Sequence, residues 1–221
     1  MNLSKALVAE FVGTFVLVFW GAAAVALAPA GSGPLMPALG HGLAIVFAAY
    51  ALGHWSGAHV NPAVTFSVWL RGAIGAGRAA GYVVVQLLGA LGAAAALNAI
   101  LGGGAAARFG AYSFDPALIS APAALAVELI LTFCLATVVL QAAVAGKAGN
   151  LAGLAIGLTL AGAILAGGAL TGASLNPART LGPALVAGQL GQVWVYLLGT
   201  LGGGALAALL SRFVLAEREA A

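Results

Sequence analysis

Two copies of the triplet Asn-Pro-Ala are the part of this chain whose residue types and spacing could do specific chemistry. Proline is favoured at the first position of a helix, and Asn is among the best residues at the cap that precedes it. Asn61-Pro62-Ala63 and Asn176-Pro177-Ala178 therefore each predict a helix start. An Asn that caps through its side-chain oxygen keeps its NH2 group as a hydrogen-bond donor.

The helices that follow the two triplets are predicted to be short. Apolar sequence runs over Val64–Leu70 after the first triplet and over Leu181–Ala187 after the second. Counted from the proline of each triplet, each helix amounts to about ten residues, or roughly 15 Å, which is half the thickness of a bilayer core. The two half-helices would together span what one helix normally spans, and such a pair predicts a pore.

The composition of the chain indicates the solvent in which these helices lie. Hydrophobic residues make up 63% of the 221 residues and charged residues 6%, whereas charged residues are about 25% of an ordinary globular domain. An integral membrane protein is predicted, with six stretches long enough to cross a bilayer. They are approximately Lys5–Ala28, Pro37–Gly53, Ala79–Leu101, Ala123–Ala145, Leu151–Gly168 and Gln192–Leu215.

The basic residues predict how these spans are oriented, because they concentrate on the cytoplasmic side of membrane proteins. With both termini in the cytoplasm, six of the eight basic residues lie on that side: Lys5, Arg71, Arg78, Lys147, Arg212 and Arg218. Arg108 then lies outside and Arg179 within the membrane. The sequence therefore predicts a multi-pass protein of the cell membrane, and its net charge of +3 gives no reason to expect nucleic acid binding.

The two halves of the chain, 1–115 and 120–221, repeat one another in the same order. The matches are Glu10, Thr14 and Phe15 with Glu128, Thr132 and Phe133; Gly42-Leu43-Ala44-Ile45 with Gly153-Leu154-Ala155-Ile156; and Leu87-Leu88-Gly89 with Leu197-Leu198-Gly199. Three spans per repeat is an odd number, so the second repeat enters the membrane from the opposite side. The half-helices then meet N-terminus to N-terminus, with Asn61 and Asn176 together at mid-membrane. One channel domain over residues 1–221 is predicted.

Together these residues resemble a known family. The segments Ser56-Gly57-Ala58-His59-Val60-Asn61-Pro62-Ala63-Val64 and Ser174-Leu175-Asn176-Pro177-Ala178-Arg179, with Glu10 and Glu128 in equivalent spans, are similar to the aquaporin (major intrinsic protein) family. The resemblance covers nearly the whole chain. It implies an all-α membrane protein with six transmembrane helices and two re-entrant half-helices in two inverted repeats, one pore per subunit, and assembly as a homotetramer.

The pore that this resemblance implies would exclude ions and protons at its centre. Half-helix N-termini carry about half a positive charge each, so their meeting point repels cations. A water molecule whose oxygen accepts hydrogen bonds from Asn61 and Asn176 cannot easily accept a proton from its neighbour. The resemblance also implies a ladder of backbone carbonyls, because irregular backbone is tolerated in a membrane where it lines a wet cavity. Its residues would be Gly57, Ala58, His59, Gly172, Ala173 and Ser174.

Arg179 is the most costly residue in the chain, since a charge at membrane depth costs about 2.5–3.5 kcal/mol and marks a functional site unless it reaches the surface. The resemblance assigns it to a selectivity filter with His41, Ile164 and Ala173. This set is similar to that of plant tonoplast intrinsic proteins, whereas strict water channels typically place an aromatic ring and a histidine at the first two positions. A wider constriction, apolar on one side, is expected. The alternative for His41 is a position at the mouth of the second span without a role.

Glu10 and Glu128 are carboxylates inside apolar spans. In a transporter such residues form proton relays, and that alternative stays open. Their matched positions favour a structural role, in which each carboxylate accepts hydrogen bonds from backbone N–H groups of the re-entrant loop in its own repeat. The resemblance implies the same anchoring role.

We therefore expect a passive channel for water that also passes small neutral solutes such as ammonia, urea and hydrogen peroxide. A glycerol facilitator is the alternative within the family, although such proteins usually carry Asp after the filter Arg, where this chain has Thr180. A secondary active transporter is the alternative from another class, because inverted repeats and broken helices occur there too.

No enzyme, metal or cofactor is expected, since neither a metal-ligand cluster nor a nucleophile–base set has the required spacing. The expected partners are water and small neutral solutes, membrane lipid and further copies of the chain, with no nucleic acid. His59 is expected to contribute its carbonyl and loop packing, with a pH-dependent gate as the alternative. Cys134, the single cysteine, lies at no position that the family pattern assigns to the pore.

Overall fold

The computed structural model describes residues 2–29, 31–102 and 111–215, and these residues form helices and connecting loops without a strand. Six helices in this part of the chain are long and apolar enough to cross a membrane. They are α1 (Leu3–Ala26), α2 (Leu35–Ser56), α4 (Ala76–Ile100), α5 (Ala121–Val138), α6 (Ala152–Thr171) and α8 (Val193–Phe213). Two shorter helices, α3 (Pro62–Leu70) and α7 (Pro177–Ala187), complete the set. The predicted all-α architecture is confirmed.

The six predicted spans agree with these helices to within a few residues at each end. α5 continues into a π-helical segment, Val139–Val144, and α6 is preceded by a 3₁₀ turn, Gly149–Leu151. In the π-helical segment the N–H of Ala145 donates to the carbonyl of Leu140, five residues earlier, at 2.9 Å. Arg108 and Arg218, which the predicted orientation uses, lie outside the described residues.

α3 and α7 are the short helices that the triplets predict, and each begins at the proline of its triplet. Oδ1 of Asn61 accepts hydrogen bonds from the N–H groups of the second and third residues of α3, at 2.8 and 3.4 Å. Oδ1 of Asn176 does the same in α7, at 2.9 and 3.2 Å. The helices have 9 and 11 residues, so end to end they reach about 30 Å, the thickness of a bilayer core.

Glycine allows the long helices to approach closely. α2 of the first repeat crosses α6 of the second at Gly42 and Gly157, where a Cβ on Gly42 would lie 2.7 Å from the other carbonyl oxygen and a Cβ on Gly157 2.6 Å from its counterpart. Gly89 lies against the backbone of α1 in the first repeat, and Gly203 lies against the backbone of α5 in the second. Lipid provides no hydrophobic drive for association, so such backbone contacts hold the bundle together.

Candidate functional site

Two non-helical segments, 57–61 and 172–176, lead into α3 and α7. Gly57 and Gly172 end the preceding helices with φ of 91° and 81°, in the left-handed region that glycine adopts without strain. Every non-glycine residue with positive φ that the structure describes also lies in these segments, with φ between 43° and 54°: Ala58, Val60, Ala173 and Leu175. Such backbone costs about 1–3 kcal/mol per residue and persists only where surrounding contacts hold it.

Glu10 provides those contacts for the first segment. The N–H of His59 donates to Oε1 at 2.8 Å, and the N–H of Val60 donates to Oε2 at 2.7 Å. Nε2 of Gln86, on α4, donates to Oε2 of Glu10 at 2.7 Å and to Oγ1 of Thr65 at 2.9 Å. The carboxylate is fully buried, and three donors compensate its lost hydration.

Glu128 holds the second segment in the same manner. The N–H groups of Ser174 and Leu175 each donate to its carboxylate at 3.0 Å. Its third donor is the hydroxyl of Thr171, at 2.7 Å, so the partner comes from the end of α6. In the described part of the chain no group of three His, Cys, Asp or Glu side chains could hold a metal ion. These contacts agree with the anchoring hypothesis for both carboxylates.

The two triplets meet through a crossed pair of amide hydrogen bonds. Nδ2 of Asn61 donates to the carbonyl of Leu175 at 2.8 Å, and Nδ2 of Asn176 donates to the carbonyl of Val60 at 2.9 Å. The N-termini of α3 and α7 therefore face each other, as the inverted repeats predict. These bonds use one N–H of each NH2 group, which carries two.

Both Asn side chains line a cavity of about 400 Å³, which we call the central cavity. Its lining includes Tyr50 and Asn150 toward one end and His41 and Arg179 toward the other. Along α2 the lining residues run from His41 to Gly53, twelve positions of helix, so the cavity is about 18 Å long in that direction. Arg179 is the only charged side chain among its lining residues, if His is taken as neutral.

The residues of the predicted carbonyl ladder are divided between this cavity and its surroundings. Four of the six line the central cavity: Gly57, Ala58, His59 and Ser174. Gly172 lines a different cavity, and Ala173 is fully buried and lines neither. From the described residues, no hydrogen bond is donated to any of the six carbonyl oxygens.

A second cavity, of about 540 Å³, lies beyond the filter and is lined by Ile164, Gly172 and Tyr112. We call it the loop cavity, because Tyr112 belongs to the connection between α4 and α5. No residue lines both cavities. The predicted filter residues are thus separated, with His41 and Arg179 on the central cavity and Ile164 on the loop cavity.

His41, Arg179 and Tyr112 form a buried cluster between the two cavities. Nδ1 of His41 is 2.8 Å from the carbonyl of Pro37, which can only accept, so Nδ1 carries the proton. Nε2 of His41 then accepts from Nε of Arg179 at 2.9 Å and from the hydroxyl of Tyr112 at 3.3 Å. The guanidinium carbon of Arg179 lies 4.2 Å from the centre of the Tyr112 ring. Burial raises the pKa of Tyr112, which keeps its hydroxyl protonated as a donor.

Two glycines make room for this cluster. A Cβ on Gly21, in α1, would collide with the imidazole of His41, and a Cβ on Gly172 would collide with the ring of Tyr112. Both rings therefore occupy positions that any other residue at these sites would obstruct. His41 is buried, with 3% of its surface exposed, and its ring contacts Arg179 and Tyr112.

Several residues of the site were not found by sequence reasoning. Gln86 could have been found, because an amide inside an apolar span requires a partner. Tyr82 and Tyr196 donate to the carbonyls of Ser56 and Thr171 at 2.9 and 2.8 Å, at the ends of α2 and α6. Tyr112 carried no such signal, since it lies on a connection without periodicity.

Comparisons with known proteins point to the same family that the sequence motifs resemble. A sequence model of the family described as Major intrinsic protein matches residues 1–211. Aquaporin NIP1-3 of Oryza sativa subsp. japonica is 40% identical, over 96% of this chain and 76% of its own length. Glycerol uptake facilitator protein-like 6 of Lactiplantibacillus plantarum is 42% identical, over 95% of this chain and 97% of its own length. The X-ray structure of the aquaglyceroporin from Plasmodium falciparum superimposes with a TM-score of 0.84 at 27% identity and covers 97% of each chain.

Proposed function

Since this chain belongs to the major intrinsic protein family, we propose that it is a passive channel for water that also passes ammonia, urea and hydrogen peroxide while it excludes ions and protons. Members of the family are multi-pass membrane channels for water or small solutes and are not enzymes. One observation carries the proposal for this chain. It is the crossed pair of Asn amides where α3 and α7 meet at the wall of the central cavity.

The second N–H of each of these amides is the donor that we assign to a passing water molecule. Asn61 and Asn176 both line the cavity, so one water oxygen can accept from both. The two helix N-termini add about half a positive charge each at the same place. A water molecule held in this way directs its own hydrogens outward, which breaks the proton-conducting chain and makes the centre unfavourable for cations.

The remainder of the cavity wall suits a neutral polar solute. Along the Gly57–His59 segment and at Ser174, backbone groups replace part of the hydration of the solute. Apolar side chains, including Ile45, Leu135 and Leu160, form other parts of the wall. Polar contact along one line and weak contact elsewhere favours rapid passage, because a solute is bound well enough to enter and loosely enough to leave.

A secondary active transporter fits these contacts less well. Glu10 and Glu128 each accept three hydrogen bonds within the protein, so their carboxylates are already used for anchoring. Arg179, the charged side chain on the central cavity, cannot take up and release protons near neutral pH. The central cavity therefore has no carboxylate among its lining residues to hold a coupling ion, and the two helix N-termini make its centre unfavourable for a cation.

A glycerol facilitator is the second candidate, and the names of two relatives favour it. One curated relative is called a glycerol uptake facilitator-like protein, and the similar solved structure is an aquaglyceroporin. Glycerol is larger than urea, so its passage depends on the width between the two cavities.

We place the protein in the cell membrane with both termini in the cytoplasm, and we propose a homotetramer with one pore in each subunit.

Liposomes that contain the purified protein test the proposal directly. Under an osmotic step they should shrink much faster than protein-free liposomes, at the same rate with and without an ion gradient. Urea, ammonia and hydrogen peroxide should enter faster than into protein-free liposomes, and glycerol should enter more slowly than urea. A rate that depends on the ion gradient would refute a passive channel, and glycerol entry as fast as that of urea would favour the facilitator.

Charge variants at the centre test how protons are excluded. Asn61→Asp and Asn176→Asp keep a good helix cap but put a negative charge where the helix dipoles are positive. Proton leak should rise about fivefold in each variant. Asn150→Asp is the matched control, because it adds the same charge at the far end of the central cavity. Equal leaks in all three variants and the wild type would contradict this account of the centre.

A further inference from the structure

Two of the four predicted filter residues, Ile164 and Ala173, bring no aromatic side chain to the constriction. His41 and Arg179 reach the central cavity, whereas Ile164 lies on the loop cavity and the methyl group of Ala173 is fully buried. Small and aliphatic residues at two of the four positions would leave a wide passage. In the structure, the contacts of Tyr112 with His41 and Arg179 lie between the two cavities, which share no lining residue.

We infer that Tyr112 is a specificity-determining residue whose ring closes this gap and sets the largest solute that passes. The inference rests on the proposed channel function. Tyr112 lines the loop cavity, and its ring and hydroxyl contact the two residues that end the central cavity, Arg179 and His41. A solute that moves from one cavity to the other must therefore pass this ring.

The ring limits the passage by its bulk and by the face of Arg179 that it covers. The guanidinium carbon lies 4.2 Å from the ring centre, a distance at which a cation and an aromatic face attract each other. Nε of the same Arg179 donates to His41 at 2.9 Å. One face and one donor of the guanidinium are thus used inside the protein, so a solute approaches Arg179 from fewer directions.

The described part of the loop that carries Tyr112, residues 111–120, is tied to α8 and to the residue before it. The N–H of Phe114 donates to the side-chain oxygen of Gln192 at 2.9 Å, and the amide nitrogen of Gln192 donates back to the carbonyl of Phe114 at 3.1 Å. The Tyr112 ring also stacks on that of Tyr196, with centroids 5.9 Å apart and planes 25° apart. Only 7% of the Tyr112 surface is exposed.

The ring and the hydroxyl have separable roles. Tyr112→Phe keeps the ring over Arg179 and removes only the 3.3 Å hydrogen bond to His41. His41 retains its contact with Arg179 in this variant. If the ring sets the size limit, Tyr112→Phe should select like the wild type, and Tyr112→Ala should not.

Liposomes with the wild type, Tyr112→Ala, Tyr112→Phe and the neighbouring control Ser113→Ala test the inference. For each protein the permeability to urea and to glycerol is divided by its permeability to water, so that the amount of folded protein cancels. Removal of the ring should raise both ratios about fivefold, because the larger solutes suffer most from a narrow passage. Tyr112→Phe and Ser113→Ala should keep the ratios of the wild type. Tyr112→Leu, with intermediate bulk and a smaller rise, replaces Tyr112→Ala if the latter does not fold.

Each other outcome overturns the inference. Unchanged ratios in both Tyr112→Ala and Tyr112→Leu would show that the size limit lies elsewhere. Equal rises in Tyr112→Phe and Tyr112→Ala would assign selection to the hydroxyl instead of the ring. Wild-type liposomes that shrink no faster than protein-free ones would refute the channel function itself, whereas a conducting wild type with unchanged variant ratios refutes the inference alone.

Discussion

The two re-entrant loops follow one backbone plan but are held by different side chains. In both, a glycine ends the long helix, two further residues adopt positive φ, and a buried glutamate accepts from two successive N–H groups. The third donor differs. Gln86 reaches the first glutamate from α4, whereas Thr171 at the end of α6 reaches the second. The backbone therefore tolerates different supports as long as each carboxylate is satisfied.

The loops differ most at the residue that follows each triplet. Val64 occupies in the first repeat the position that Arg179 occupies in the second. Both line the central cavity, but Arg179 brings a charge and a cluster with His41 and Tyr112. The comparison supports the proposal that the shared features of the repeats build the passage and that Arg179, at one end of it, selects what enters.

Replacement of either anchor should have the largest effect. Glu10→Gln and Glu128→Gln each put an NH2 group where an oxygen accepts backbone hydrogen bonds, so buried N–H groups lose their partners. We expect each variant to lose about 2–4 kcal/mol of stability, measured as the drop in thermal unfolding temperature in detergent. Similar losses in the two variants would support equivalent anchors. A loss in one variant alone would show that the repeats are not equivalent in this respect.

Removal of the third donor to each glutamate should destabilise the two loops to different extents. Thr171→Val removes a donor to Glu128 and also the acceptor for the N–H of Ala173 at 3.1 Å, at a fully buried residue with positive φ. Gln86→Leu leaves Thr65 with His59 as a partner at 3.2 Å. We expect losses of about 2 kcal/mol for Thr171→Val and about 1 kcal/mol for Gln86→Leu. The reverse order in the same unfolding assay would contradict this view of the loops.

Arg179→Val puts after the second triplet the residue type that follows the first triplet. The variant tests whether Arg179 is responsible for the proposed functional difference between the two loops. Removal of the charge takes away a barrier to cations near the end of the central cavity, so proton leak in liposomes should rise about tenfold. Val64→Thr is the control on the other side of the pseudosymmetry and should leave proton exclusion unchanged. A leak of the same size in both variants would mean that selection is not confined to the second repeat.

Mercurial reagents should have the smallest effect. Cys134 is exposed on α5 and does not line the central cavity, whereas the next residue, Leu135, does. Water flow through the wild type should therefore be insensitive to mercuric chloride. Leu135→Cys in a Cys134→Ser background should become sensitive and recover with a reducing thiol. Inhibition of the wild type that disappears in Cys134→Ser would show that α5 faces the pore differently.

The long helices and the meeting of the triplets could be predicted because they follow from rules that act along the chain. Apolar length predicts a span, and Asn-Pro predicts a capped helix start. An odd number of spans per repeat turns the second triplet toward the first. Matched positions in the two repeats also predict matched roles, which is the basis on which the sequence predicts anchoring by Glu10 and Glu128.

Other features depend on contacts between residues that are far apart in the chain, and local sequence patterns do not predict such contacts. The contact between Tyr112 and Arg179 joins a loop to α7 across 67 positions of the chain, and the pattern of residues around Tyr112 does not indicate it. The expectation of a wide, one-sidedly apolar filter considered four residues and could not include this ring. The π-helical segment after α5 could not be predicted either, because its mostly apolar sequence is equally compatible with a continued α-helix.

The crossing of α2 and α6 at Gly42 and Gly157 has a consequence for the temperature dependence of transport. A Cβ on either glycine would lie within 2.7 Å of the carbonyl oxygen of the other, so the two repeats pack backbone against backbone at this point. In the proposed passive channel, a solute would cross this tightly packed bundle without waiting for the protein to change shape. The activation energy of water flow should therefore be close to that of free diffusion in water, and heating should accelerate flow through the protein far less than leakage through the surrounding lipid.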